Sequence, residues 1–143
     1  MISAEAEYKL GRFTSKPCIL IVDDEEDILR PILTRVILHY RGDYEPIICI
    51  DGNEALASVS RHQIALIILD IQMPNLDGVG VCRFLREHPQ YRKIPILISS
   101  GYIDEELRKE LEPLGIRHYL SKPYTMDTLT EQMDRILDWR HCP

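Results

Sequence analysis

Asp23 and Asp24 close one short apolar run, and Glu25 and Glu26 follow them. A single acid, Asp70, closes a second run. The hydroxyls of Ser99 and Ser100 close a third, and Lys122, followed by Pro123, closes a weaker one. Carboxylates gathered in one crevice repel unless something cationic joins them. Hard oxygen ligands select Mg²⁺, which takes one or two carboxylates plus a phosphate and keeps several waters. A lysine adds a mobile second cation, and a serine hydroxyl can donate to a phosphoryl oxygen. A carboxylate nucleophile, a metal and a cationic clamp together make a phosphoryl-transfer site. Such a site works by positioning and charge neutralisation. Each piece is ordinary alone. An acidic pair after a strand is commonly a helix N-terminal charge, Lys-Pro a loop and Ser-Ser-Gly a turn.

The elements around these residues decide whether they meet. Cys18–Val22, Ile64–Leu69 and Ile96–Ile98 are short, nearly continuous apolar runs. Such runs predict strands buried on both faces, in a parallel sheet covered by helices. Tyr44–Ile50 and His118–Ser121 read as two weaker strands. Pro46 cannot donate to a ladder, which puts Tyr44–Ile50 at a sheet edge. Helical spacing runs from Asp27 to Tyr40, with Pro31 tolerable only close to a helix start. Gly52–His62, Asp77–His88 and Asp104–Glu112 follow, the last stopped by Pro113 with Gly115 beyond. A final helix runs from an N-cap at Thr125 to about Arg140, with Met126, Leu129, Met133, Ile136 and Leu137 as its buried stripe. Strand and helix alternate five times, which predicts a doubly wound α/β fold with right-handed crossovers. In such a sheet ligands bind beyond the carboxyl ends of the strands. The acids, the hydroxyls and Lys122 all stand there.

A chain of 143 residues suits one domain with a full core. Residues 1–16 read as an N-terminal extension, either a fraying tail or a short extra helix, and 17–143 as the domain. The net charge of −6 disfavours non-specific nucleic-acid binding. No apolar run approaches the roughly 20 residues of a spanning helix, and the first residues lack a signal-peptide core. A cytoplasmic protein that binds neither membrane nor nucleic acid is the simplest expectation. Cys18, Cys49, Cys82 and Cys142 show no metal-like spacing and read as reduced thiols, with Cys18 and Cys49 in buried strands. His39, His62, His88, His118 and His141 read as surface residues.

Val22-Asp23-Asp24-Glu25, Leu69 to Gly78, Ile98-Ser99-Ser100-Gly101 and Tyr119 to Tyr124 occur in the order of the receiver domain of two-component response regulators. The chain resembles that family over roughly Lys16 to Trp139. The resemblance implies a flavodoxin-like sheet with strand order 2-1-3-4-5 and helices on both faces. It implies Asp70 as phosphoacceptor. Mg²⁺ would be held by Asp23 and Asp24, one directly and one through water, with Asp70 and the backbone carbonyl of Gln72. Lys122 would pair with the phosphoryl group, across a cis bond to Pro123. Ser100, rather than Ser99, would be the switch hydroxyl, and Tyr119 an aromatic switch on the output face. Gln72 and Tyr102 would tune phosphoryl lifetime.

The activity so implied is transfer of a phosphoryl group from a histidine kinase or histidine phosphotransfer protein to Asp70. Partner affinity would then change on the face made by the Asp104–Glu112 helix, the His118–Ser121 strand and the last helix. The histidine donor belongs to the partner. A homodimer formed on phosphorylation is a further option, and the output partner or domain is left open. So is whether the chain stands alone or belongs to a longer regulator or hybrid kinase. The chain would signal and not turn over substrates. A haloacid-dehalogenase-type phosphatase wants a second Asp two residues after the nucleophile, where this chain has Gln72. A receiver fold without its chemistry would have lost an acid or the lysine, and none is lost. An electron-carrying flavodoxin would show a Ser/Thr-rich phosphate loop after the first strand, which is absent.

Overall fold

The structure is a computed structural model and describes residues 16–139. Five strands and five α-helices alternate along it: β1 Cys18–Val22, α1 Glu26–Tyr40, β2 Glu45–Cys49, α2 Gly52–Arg61, β3 Ile64–Leu69, α3 Gly78–Glu87, β4 Ile96–Ser100, α4 Glu105–Leu111, β5 His118–Ser121 and α5 Met126–Leu137. A 3₁₀ turn, Glu112–Leu114, follows α4. The strands form one parallel sheet in the order β2-β1-β3-β4-β5. Doubly wound α/β with this order is what the alternation and the resemblance led one to expect.

Alternation along each strand sends side chains to two cores. Leu20, Val22, Ile67, Leu69, Ile96 and Ile98 pack on one face with α2, α3 and Leu111 of α4. Ile19, Ile21, Leu66, Ile68, Leu97 and Leu120 pack on the other with α1 and α5. β1 and β4 are buried along their whole length, because both faces are covered. β2 pairs with β1 alone, so Pro46 does stand on an edge strand. Asp51, Asp77, Asp104 and Thr125 cap α2, α3, α4 and α5 through side-chain bonds to backbone N–H groups of the first turn.

Several expected boundaries move. β4 runs on through Ser99 and Ser100, which therefore lie in the sheet and not in a turn after it. β2 is shorter than the apolar run, ending at Cys49. α1 begins at Glu26, so Pro31 lies inside it, past the first turn. Pro31 faces solvent, which leaves the carbonyl one turn earlier open to water, while Ile32, Val36 and Tyr40 stay buried. Pro113 does not end the chain's helical path at once but sits in the 3₁₀ turn, closed by Gly115 at φ 75°. α5 ends at Leu137, and Arg140 lies outside the described residues. So do nearly all of the N-terminal extension, His141 and Cys142. Cys18, Cys49 and Cys82 are buried free thiols, as expected.

Candidate functional site

The site is built at the carboxyl ends of β1, β3, β4 and β5. Asp23 follows β1, Asp70 follows β3, Ser100 ends β4 and Lys122 follows β5. Parallel register holds them level: Asp70 N–H donates to Val22 O at 2.9 Å, and Lys122 N–H to Ser100 O at 2.8 Å. Asp23 and Asp70 are only 2% and 5% exposed, while Asp24 and Glu25 are open to solvent.

Lys122 reaches back over the site. Its Nζ donates to Asp23 Oδ2 at 2.6 Å and stands 3.7 Å from Asp70 Oδ1. Asp23 Oδ1 accepts from the Glu25 N–H at 2.9 Å, so both oxygens of this buried carboxylate are satisfied. The Lys122–Pro123 bond is cis, as the resemblance implied. Burial, and then the charge of Asp23, push the Asp70 carboxyl up to about 6. Lys122 and backbone bonds from Ile71 and Gln72 pull the other way without cancelling that rise. Burial pulls the Lys122 ammonium down, but the bond to Asp23 and the charges of Asp70 and Asp23 outweigh it and leave it raised. The crevice thus holds more negative charge than one lysine neutralises.

The donor set suits a hard divalent cation. Carboxylate oxygens of Asp23, Asp24 and Glu25 lie within 4.8 Å of one another, two of them solvent-open, beside the excess charge at Asp70. Glu25 was not among the ligands the sequence suggested. It enters because the chain turns tightly after β1.

The two serines diverge. Ser99 faces the α1 and α5 side, where its Oγ lies 2.7 Å from the Tyr124 hydroxyl. Ser100 faces the other way, and its Oγ accepts from the Tyr102 N–H at 3.3 Å. Tyr102 is 68% exposed at the mouth of the site, and Gln72 is exposed on the loop after Asp70. Tyr119 is half-buried on β5. Its hydroxyl donates to Ile116 O at 3.3 Å, and the Arg108 guanidinium of α4 sits 4.3 Å from its ring centroid. The structure therefore gathers Asp23, Asp24, Asp70, Ser100 and Lys122, with Gln72 and Tyr102 on flanking loops, and places Tyr119 off to the side. Two partners had no sequence signal: Tyr124 for Ser99, and Arg108 for Tyr119. The four described histidines are half-buried, not surface residues, and His39 Nε2 lies 2.9 Å from Asp134 Oδ1.

A five-stranded doubly wound sheet with acids and a lysine at its switch point defines a class of α/β proteins with an acidic strand-end site. The model of the response regulator receiver domain matches residues 19–134, and the chain belongs to that family. It is 37% identical over 123 residues to the alkaline phosphatase synthesis transcriptional regulatory protein PhoP of Bacillus subtilis, covering 83% of this chain and 48% of that protein. It is 32% identical to the CAI-1 autoinducer sensor kinase/phosphatase CqsS of Vibrio cholerae, covering 85% of this chain and 17% of that one. The chain thus spans about half or less of the length of these curated relatives. Among solved structures, the Vibrio cholerae chemotaxis protein CheY4 is similar with a TM-score of 0.75 and 30% identity, over 86% of this chain and 100% of that one.

Proposed function

We propose that this receiver domain accepts a phosphoryl group on Asp70 and holds it as a signal. The observation that carries the reading is the juxtaposition of a buried Asp70, a second buried acid and Lys122 at three neighbouring strand ends. The donor is a phosphohistidine of a sensor kinase or phosphotransfer protein. An Asp70 carboxylate oxygen forms a P–O bond as the donor's P–N bond breaks, and the electron pair leaves on the imidazole. Lys122 exchanges part of its hold on Asp23 for the arriving phosphoryl oxygens. Mg²⁺ would be held by Asp23 and Asp24, with Asp70 and the Gln72 carbonyl, and supplies charge neutralisation when bound. Ser100 turns its hydroxyl from Tyr102 toward the phosphoryl group. Tyr119 then changes rotamer, altering the face of α4, β5 and α5 toward an output partner. Gln72 and Tyr102 shade the path of the water that resets the site. On this reading the chain turns over no external phosphoester, since Gln72 stands where an aspartyl-nucleophile phosphatase wants its second Asp. The reading places it in the cytoplasm; among the described residues no helix is long and apolar enough to cross a membrane.

Acetyl phosphate with Mg²⁺, read by intact mass, tests this. One phosphoryl adduct is expected on the wild type, and none on Asp70→Asn or without metal. A wild type that binds Mg²⁺ and stays unmodified would sink the proposal.

A further inference from the structure

At the opposite pole, under the amino ends of β4 and β5, lies a groove of about 770 Å³. It is remote from Asp70, and the proposed switch does not use it. Arg86 of α3, Arg92 and Lys93 of the following loop, and Arg117 and His118 at the start of β5 all line it. The whole chain carries a net charge of −6, yet Glu87 is the one acid on this wall.

Glu87 offsets only part of the positive charge there. Among the described residues, no carboxylate forms a salt bridge with Arg86, Arg92, Lys93 or Arg117. Arg86 is half-buried and is held by carbonyls: Nε donates to Leu114 O at 2.8 Å and Nη1 to Ile94 O at 3.1 Å. Arg92 Nε in turn donates to Arg86 O at 3.3 Å, which draws a second guanidinium to the same wall. Burial pulls the Arg86 guanidinium down from its ordinary value. Burial, with Arg117 and Arg135 beside it, does the same to the His118 imidazole.

We infer that this groove binds a small, multiply charged anion bearing phosphate groups. Four permanent cations in one concavity exceed what a single carboxylate would neutralise. Guanidinium forks match phosphate oxygens in pairs. Ile94, Pro95 and Leu114 supply an apolar wall for the uncharged part of such a ligand, and the volume is that of a small-molecule pocket. The groove is short and flanked by loops, which favours a compact ligand over an extended acidic peptide.

The test uses the full chain, ¹⁵N-labelled, without added divalent metal, titrated with inorganic pyrophosphate and followed by NMR. Amides of Ile94, Gly115 and His118 are expected to shift on one saturable isotherm whose apparent Kd rises with added KCl. Lys93→Glu with Arg117→Glu, both at exposed positions, should weaken binding by about tenfold or more, and Arg61→Glu on α2 should leave it within about twofold. The unliganded spectrum of the double variant reports whether it folds, and Arg86 is left alone because it staples two loops. If the double variant does not fold, Lys93→Gln with Arg117→Gln replaces it, with the same direction expected. Shifts that stay linear, that centre on Lys122, or that survive these replacements overturn the site.

Discussion

Ser99 and Tyr124 form a hydroxyl pair on the α1 and α5 side of the sheet, 2.7 Å apart and 25 residues apart in the chain. With the Lys122 N–H to Ser100 bond, it ties the loop that carries Lys122 to the end of β4. Tyr124→Phe leaves a buried Ser99 hydroxyl without its partner, at a cost of about 1–3 kcal/mol. Ser99→Ala with Tyr124→Phe removes both groups. Urea unfolding should therefore show the double variant losing less than the sum of the singles, and strict additivity would refute the coupling. The Arg108 contact is weaker. A solvent-open cation over a half-buried ring contributes about 0.5–1 kcal/mol, so Arg108→Ala should shift the Tyr119 rotamer balance by about two- to fivefold. Side-chain NMR of Tyr119 would read that shift, and an unchanged balance would remove Arg108 from the switch. Asp23, Asp70 and Lys122 were legible in the sequence because each closes a strand, and strand ends of a parallel sheet converge. The Ser99 and Tyr119 partners were not. Those pairings depend on rotamers and on how two loops approach, which no spacing rule encodes.

Helices and strands here approach closely where glycine allows it. A Cβ added at Gly78 would collide with the Asp70 carbonyl and come within 2.8 Å of the Ile71 Cα, both backbone atoms. Backbone cannot yield as a flexible side chain does. Gly78→Ala should therefore displace the end of β3 that carries Asp70, cost about 1–3 kcal/mol and slow acetyl phosphate labelling. Gly101→Ala is the matched control, since a Cβ there meets nothing within 4 Å and its φ is not positive. Its stability should stay within about 0.5 kcal/mol of the wild type. Equal losses from both alanines, by urea unfolding, would show that the close approach at α3 is not what matters. The elements themselves were largely readable, since buried parallel strands are continuous apolar runs and Asp or Thr caps announce helix starts. β4 was read short because Ser99 and Ser100 are polar. Backbone pairing of Ser99 with Leu120 and of Ser100 with Ser121 carries the strand through them, and their hydroxyls find partners in Tyr124 and Tyr102. The gap at Gly78 was invisible, because a motif glycine does not say which backbone it lets in.

Across the whole molecule, the α1 and α5 layer is closed far from the acidic pole. Tyr40, fully buried at the end of α1, donates to Asp134 Oδ1 of α5 at 2.8 Å, and His39 reaches the same carboxylate. The alternation of strands and helices made this layer foreseeable, but not a bond between residues 94 positions apart. Burial, the Asp134 bond and the Asp134 charge all raise the Tyr40 phenol well above its ordinary value. A group whose pKa is raised on folding stabilises fully below its unfolded value and progressively less above it. For Tyr40 that unfolded value is near 10. Stability should be flat on this account up to about pH 10 and then fall by about 1.4 kcal/mol per pH unit for each such proton. The Cys82 thiol, raised by burial to about 12, adds to the same decline from about pH 9 upward. Tyr40→Phe removes one titrating group and one bond to a charged acceptor. It should lower stability by about 1.5–3 kcal/mol at pH 7 and yet make the decline above pH 10 shallower by about one proton's slope. Urea midpoints taken from pH 7 to pH 11 would measure both effects. A variant curve parallel to the wild type throughout would mean that Tyr40 ionises as easily in the fold as outside it, and one that coincides with the wild type would mean that the clasp between α1 and α5 is not held by this hydroxyl.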